Sequence, residues 1–238
     1  MLTFFRRIRK EIIGSGGARK YVLYAIGEVL LVMVGILLAL QVNNWNEWRK
    51  NRMKEISALH EIIETLELNV QIFTRYIDGI EANNRSKEII LNGIENKIAY
   101  SDTLDRHFLE AFVQWSEGFV SYSGFDALKN NGIDLILSDT VRKEIITLFE
   151  NSYAVTREDI ENWTFDQFIF KYMDENFIWY EGLKARPKDF KFVMNDHYFL
   201  SIIHRLIRQN NHIKGILSGS LEETQRVLQL IKDELEKH

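Results

Sequence analysis

No cysteine occurs in the 238 residues, which excludes disulfides, thiol nucleophiles and Cys-ligated zinc. Proline occurs once, at Pro187, so long helices meet almost no backbone interruption. Recognisable catalytic motifs are also missing. Gly14, Ser15, Gly16 and Gly17 are followed by Ala18 and Arg19, where a phosphate loop needs Lys and then Ser or Thr. The run His60, Glu61, Glu64 has Glu64 where a zinc protease needs a second His. No serine stands in a nucleophile-elbow pattern. These absences lead to a non-enzymatic reading with no cofactor and no metal site.

Charge is scarce in one place. Residues 21–42, YVLYAIGEVLLVMVGILLALQV, carry Glu28 and no other charge. As a helix the stretch is about 33 Å long, enough to cross a bilayer core. Thirteen of its residues are Leu, Ile or Val, contributing about −4 to −8 kcal/mol to insertion, against at most ~3 kcal/mol for a carboxylate at the centre. Tyr21 and Tyr24 mark one interface; Trp45 and Trp48 mark the other. The stretch is too long for a signal-peptide core, and the large residues Leu40, Gln41 and Val42 follow instead of a cleavage site. It reads as an uncleaved signal anchor.

The net charge of −4 is unevenly spread. Residues 1–20 carry Arg6, Arg7, Arg9, Lys10, Arg19 and Lys20 against Glu11, hence +5, while residues 43–238 carry −8. The basic tail suits anionic head groups, and the acidic remainder makes nucleic acid an unsuitable partner. Six Lys and Arg before the span against Arg49, Lys50, Arg52 and Lys54 after it favour a cytoplasmic N-terminus. The division expected is a tail (1–20), a transmembrane helix (21–42) and an extracytoplasmic all-α domain (43–238). The reverse topology is the alternative.

In the tail, Phe4, Phe5, Ile8 and Ile12 oppose Arg6, Arg7 and Lys10 on a helical wheel, as in an interfacial helix. After the span, Ile56, Leu59, Ile63, Leu66, Val70, Phe73, Ile77 and Ile80 alternate spacings of three and four. That is the seam of a coiled coil or bundle. Extended backwards, the register meets Glu28 and Gly35 and is broken by Arg49 and Arg52. Gly79 and the run 81–85 predict a helix end, with Ser86 capping the next helix. A short helix follows around Phe108, Leu109, Phe112 and Val113, and Gly118 and Gly124 punctuate a loop. A turn or two of helix covers 125–131, which Gly132 closes. Ser138 or Asp139 caps a helix to about Tyr153. An aromatic-rich helix is expected over 157–181, including Phe165, and a loop over 182–190, starting at Gly182. Asn195 or Asp196 opens a final helical region, with Gly215 and Gly219 as candidate interruptions, long enough to run back antiparallel along 56–80.

Other candidates have plain structural readings. His197, His204 and His212 are too widely spaced along one helix to share an ion. The acids Asp102 and Asp105, and Glu158, Asp159 and Glu161, stand where helices begin and favour the positive dipole end. Gly35 and Ala39 form a small-xxx-small pair suited to close helix approach. Two readings of Glu28 stand side by side: an intramembrane partner contact with Gly35 and Ala39, or a carboxyl that snorkels or is protonated.

Lys20, Tyr21, Tyr24 to Glu28, Gly35 and the run ALQVNNWNE at 39–47, together with FDALKNNG at 125–132, residues 134–136 and Arg142, resemble a family of single-pass membrane proteins of Gram-negative bacteria grouped as a domain of unknown function. The resemblance implies a membrane-anchored, mostly helical protein and carries no catalytic residue. The expected protein is a single-pass inner-membrane scaffold with a periplasmic helical domain. Its partners would be the lipid bilayer and either a second copy or another membrane protein, met through the transmembrane helix and the 56–80 seam. A ligand-sensing bundle with a separate output partner, and a stator-like subunit using Glu28, are the alternatives. An envelope enzyme has no motif to support it.

Overall fold

The computed structural model describes residues 18–112, 120–163, 167–180 and 184–237. The amphipathic tail at 1–13, the glycine joint at 14–17, Val113, Gly118, Phe165 and Gly182 lie outside them. The fold is all-α with one short two-stranded ribbon. The chain divides into two compact units, Met1–Lys54 and Glu55–His238.

The first helix, α1, spans Ala18–Glu95. In the first unit its run of Leu, Ile and Val has no proline to break it, and from residue 31 to residue 50 every side chain is exposed. Among the described residues, this is the one helix long and apolar enough to cross a membrane, and none of its most apolar window is buried within the protein.

In the second unit the remaining helices fold over α1 and bury two cores. They are α2 (Leu104–Phe112), α3 (Ser123–Asn131), α4 (Asp139–Ile146), α5 (Tyr153–Trp163), α6 (Gln167–Asn176), α7 (Phe190–Asn195) and α8 (His197–Glu236). A 3-10 turn at Ile133–Leu135 follows α3, and a π-helical turn at Thr147–Ser152 carries α4 into α5. The first core joins Leu59, Leu66 and Phe73 of α1 to Phe125, Phe149, Tyr153 and the later half of α8. The second joins Ile90 to Phe108, Tyr172, Phe177 and the early half of α8. Helices α1 and α8 run antiparallel. Lys232 reaches Glu67 at 2.7 Å, Lys214 reaches Glu81 at 2.6 Å, and Asn210 reaches Asn83 and Asn84 at 2.9 and 2.8 Å.

Helix α1 does not end near Gly79. It continues through Ser86 to Glu95, because the polar run is not a loop: Asn83, Ser86 and Lys87 turn inward and are buried. The actual stop is a Schellman closure, in which the Lys97 N–H donates to the Ile94 carbonyl and the Ile98 N–H to the Gly93 carbonyl. Lys97 takes φ 51° there, a conformation that costs a non-glycine residue about 1 kcal/mol.

The buried face of α1 is also wider than the expected seam. Leu59, Leu66, Phe73 and Ile80 are fully buried, but Ile56 is 36% exposed, and Glu55, Thr65 and Asn69 are inside. These three polar side chains bind backbone. The Leu137 N–H donates to Glu55 at 2.8 Å, and the Gly124 N–H donates to Thr65 Oγ1 at 3.0 Å. Asn69 both donates to the Ser121 carbonyl (3.0 Å) and accepts from its N–H (2.6 Å). Buried polar atoms that are satisfied in this way fix position at little net cost.

Three other expectations differ from the structure. The helix expected to stop near Tyr153 runs on through the π-turn to Trp163. The single helix expected over 157–181 is α5 and α6 followed by strand β1 (Phe177–Tyr180), which pairs antiparallel with β2 (Lys184–Pro187) inside the expected loop. Aromatic and β-branched residues in FIWY favour the strand, and Pro187 is tolerated at the end of a two-stranded ribbon. Gly215 and Gly219 sit inside an unbroken α8, where tertiary packing overrides their weak helix propensity. The expected caps at Ser138 and Asp196 are present, accepting from Val141 N and Tyr198 N.

Gly124 is where α3 touches α1. A Cβ there would lie 2.5 Å from the Glu61 carbonyl oxygen and 2.6 Å from Thr65 Oγ1. Backbone cannot yield as a flexible side chain can, so Gly124→Ala is expected to destabilise the second unit by about 1–3 kcal/mol. Thermal unfolding followed by circular dichroism checks this; an unchanged melting temperature would show that α3 does not dock on α1 so closely.

Candidate functional site

Helical spacing puts Gly35 and Ala39 one turn apart on α1, with Glu28 two turns before Gly35. Gly35 and Ala39 are exposed, and Glu28 is partly buried. A Cβ at Gly35 would meet nothing within 4 Å, so its smallness serves no packing within the described chain. Glu28 sits with Ala25, Val29 and Val32 around a shallow recess. Trp45 and Trp48 are both exposed beyond the apolar run.

The other sequence candidates are dispersed. His60 Nδ1 lies 2.8 Å from the Ile56 carbonyl of its own helix. Glu61 and Glu64 line a shallow cavity of about 320 Å3 with Thr65, Leu68 and Ser123. His197, His204 and His212 are exposed along α8. No group of three or more His, Asp or Glu able to hold a metal occurs among the described residues. Asp102 and Asp105 separate: Asp102 is exposed, while Asp105 is buried beneath Tyr100 and Arg186. Glu158, Asp159 and Glu161 are exposed on α5.

Two polar constellations escaped the sequence reading. The first is a layer around the fully buried Lys87. Its Nζ donates to Asn83 Oδ1, which also accepts from Asn210 Nδ2, and Asn83 Nδ2 donates to the Glu110 carbonyl of α2. Ser86 beside it donates to the Glu110 carboxylate at 2.6 Å and meets His107 Nδ1 at 3.0 Å. Burial lowers the Lys87 ammonium to about 7, because desolvation penalises the charged form. The signal available was Asn83, Ser86, Lys87 and Ile90 at helical spacing, which continues the buried stripe through polar residues.

The second constellation lies where α1 ends. Tyr100 Oη donates to Asp105 Oδ1 at 2.8 Å, and Arg186 Nε donates to Asp105 Oδ2 at 3.0 Å. The guanidinium stacks 5.7 Å from the centre of the Tyr100 ring. Loss of hydration, and then Asp105, raise the Tyr100 hydroxyl above its ordinary value. The ring also meets Phe190 edge-on at 5.4 Å. Tyr100 and Phe190 thus form a fixed wall of a cavity of about 760 Å3, rimmed by Lys97, Lys188 and Lys191. Nothing in the linear sequence joins residues 93–100 to residues 188–195.

No family model, curated protein or solved structure matches this chain.

Lys87 makes stability depend on pH. Between about 7 and the ordinary lysine value of 10.5, the unfolded chain holds a proton that the folded chain has released, so stability rises with pH across that window. Tyr153 acts only higher: burial pushes it up to about 12, and the stability it adds is lost as pH rises from about 10 through that value. Melting between pH 7.5 and 9.5 therefore isolates Lys87. The wild-type melting temperature is expected to climb, while Lys87→Met melts higher at pH 7.5, by about 1–3 kcal/mol of stability, with a flatter slope. Parallel profiles for the two proteins would contradict the burial of a neutral lysine.

Proposed function

We propose that this chain is a single-pass inner-membrane protein of a Gram-negative bacterium, with a cytoplasmic N-terminus and a periplasmic, non-enzymatic helical domain that serves interaction or scaffolding. The observation that carries the reading is the apolar run of α1, none of whose most apolar window is buried. A core helix of a soluble protein would bury such a run. The aromatic pair Trp45 and Trp48 and the basic tail support the anchor and its orientation. The resemblance of the NNWNE and FDALKNNG stretches to the Gram-negative family supports the same reading.

Contact with a second copy, or with another membrane protein, falls to Glu28, Gly35 and Ala39. Leu59, Leu66, Phe73 and Ile80 of the seam are already covered within the second unit, whereas the apolar side chains of the span are exposed. The cavity at the end of α1 favours a second reading, a ligand-sensing domain.

Two measurements test these proposals. A reporter fused after His238 should be active only in its periplasm-dependent form; activity of a cytoplasm-only reporter would reverse the orientation. Crosslinking from positions 28, 35 and 39 in intact cells should capture a partner. Glu28→Gln should keep that product, since an amide still bridges helices, and Glu28→Leu should weaken it by about 1 kcal/mol. Wild-type behaviour of both variants with no crosslinks would make Glu28 a tolerated charge.

A further inference from the structure

The cavity beyond the end of α1 combines three features. Its wall is apolar and aromatic: Ile98, Tyr100, Phe190 and Met194. The wall is held in place before any ligand arrives, because Tyr100 is fixed by the buried Asp105 and by Phe190. Its rim is cationic, with three lysines against Asp189. Two of these groups are already engaged. Lys188 Nζ donates to the Asp174 and Glu175 carbonyls at the end of α6, at 2.9 Å each, and Asp189 accepts from the Phe192 N–H at 3.0 Å. Lys97 and Lys191 pair with no carboxylate among the described residues.

Lys97 also holds the left-handed position that ends α1. Glycine fills that position more cheaply, so the fold alone gives no reason for a lysine there. The volume of about 760 Å3 lies in the range of small-molecule sites.

We propose that this cavity binds a small organic acid with an apolar body. Its carboxylate meets Lys97 and Lys191, and its body lies against Tyr100, Phe190 and Met194. Ammonium groups select for the anion as point charges, and the aromatic wall excludes fully hydrated ions. A single negative charge suits the rim better than two, because Asp189 stands on it. The proposal rests on the second unit and is independent of the membrane anchor.

The probe is 4-phenylbutyrate, with 4-phenylbutanamide as its uncharged counterpart. Binding to the full chain in phosphatidylcholine nanodiscs is measured by saturation-transfer NMR, with empty nanodiscs subtracted. The acid is expected to bind roughly tenfold more tightly than the amide, given two partly exposed ion pairs. The double variant Lys97→Gly, Lys191→Gln should lose that difference while still binding the amide. Both substitutions are at exposed positions, and Lys97→Gly relieves the left-handed backbone, so the variant should melt no lower than wild type. Equal affinity for acid and amide, undiminished acid binding by the double variant, or no transfer to the acid at millimolar concentration would each overturn the proposal.

Discussion

The second unit depends on the antiparallel contact between the later half of α1 and α8. Neither helix can bury its apolar face alone, and each supplies both cores. The pairing is fixed between the cores rather than by them: Asn83, Asn84, Asn210 and Asn211 bond across the interface, with Lys87 enclosed beside them. Apolar packing tolerates a slide of one helix along another by a turn. The buried Asn83–Asn210 amide pair does not, because each displaced donor or acceptor would lose its partner in a low-dielectric setting. The layer thus sets the register, and the buried lysine is the stability cost that comes with it.

The same logic operates where helix meets loop. Glu55, Thr65 and Asn69 project from α1 and bond to the backbone of Leu137, Gly124 and Ser121. Thr65 also meets the Ser123 hydroxyl at 3.2 Å, so backbone and side chain together place the α3 segment, and at Gly124 the approach is too close for a Cβ. Phe125 then stacks on Phe149 at 4.7 Å, and Arg142 donates to the Ile136 carbonyl at 2.9 Å. The FDALKNNG stretch is therefore a docking element within the chain.

How much of this was legible in the sequence follows from which forces periodicity records. Hydrophobic spacing identified the greater part of α1, the antiparallel return of α8 and the first-core residues Leu59, Leu66, Phe73 and Ile80, because these elements bury apolar side chains at 3.6-residue intervals. It misjudged Gly79 to Ser86, since a polar stripe facing inward resembles a polar loop until its partners on α2 and α8 are known. It missed the β1–β2 ribbon because four-residue strands give too short a pattern to compete with a helical run. The placement of Glu28, Gly35 and Ala39 along one helix was readable; the cavity rimmed by Lys97 and Lys191 was not, because it joins segments about ninety residues apart and depends on tertiary contact alone.

The central claim is that residues 21–42 anchor the chain in a bilayer. Alkaline carbonate extraction of membranes from cells producing the full chain tests it most directly. The account predicts that the protein stays in the pellet after carbonate treatment, is released by detergent, and moves to the soluble fraction when Leu31, Val34 and Leu38 are replaced by Arg, at roughly 2.5–3.5 kcal/mol each near the bilayer centre. A wild-type chain found in the carbonate supernatant would contradict it.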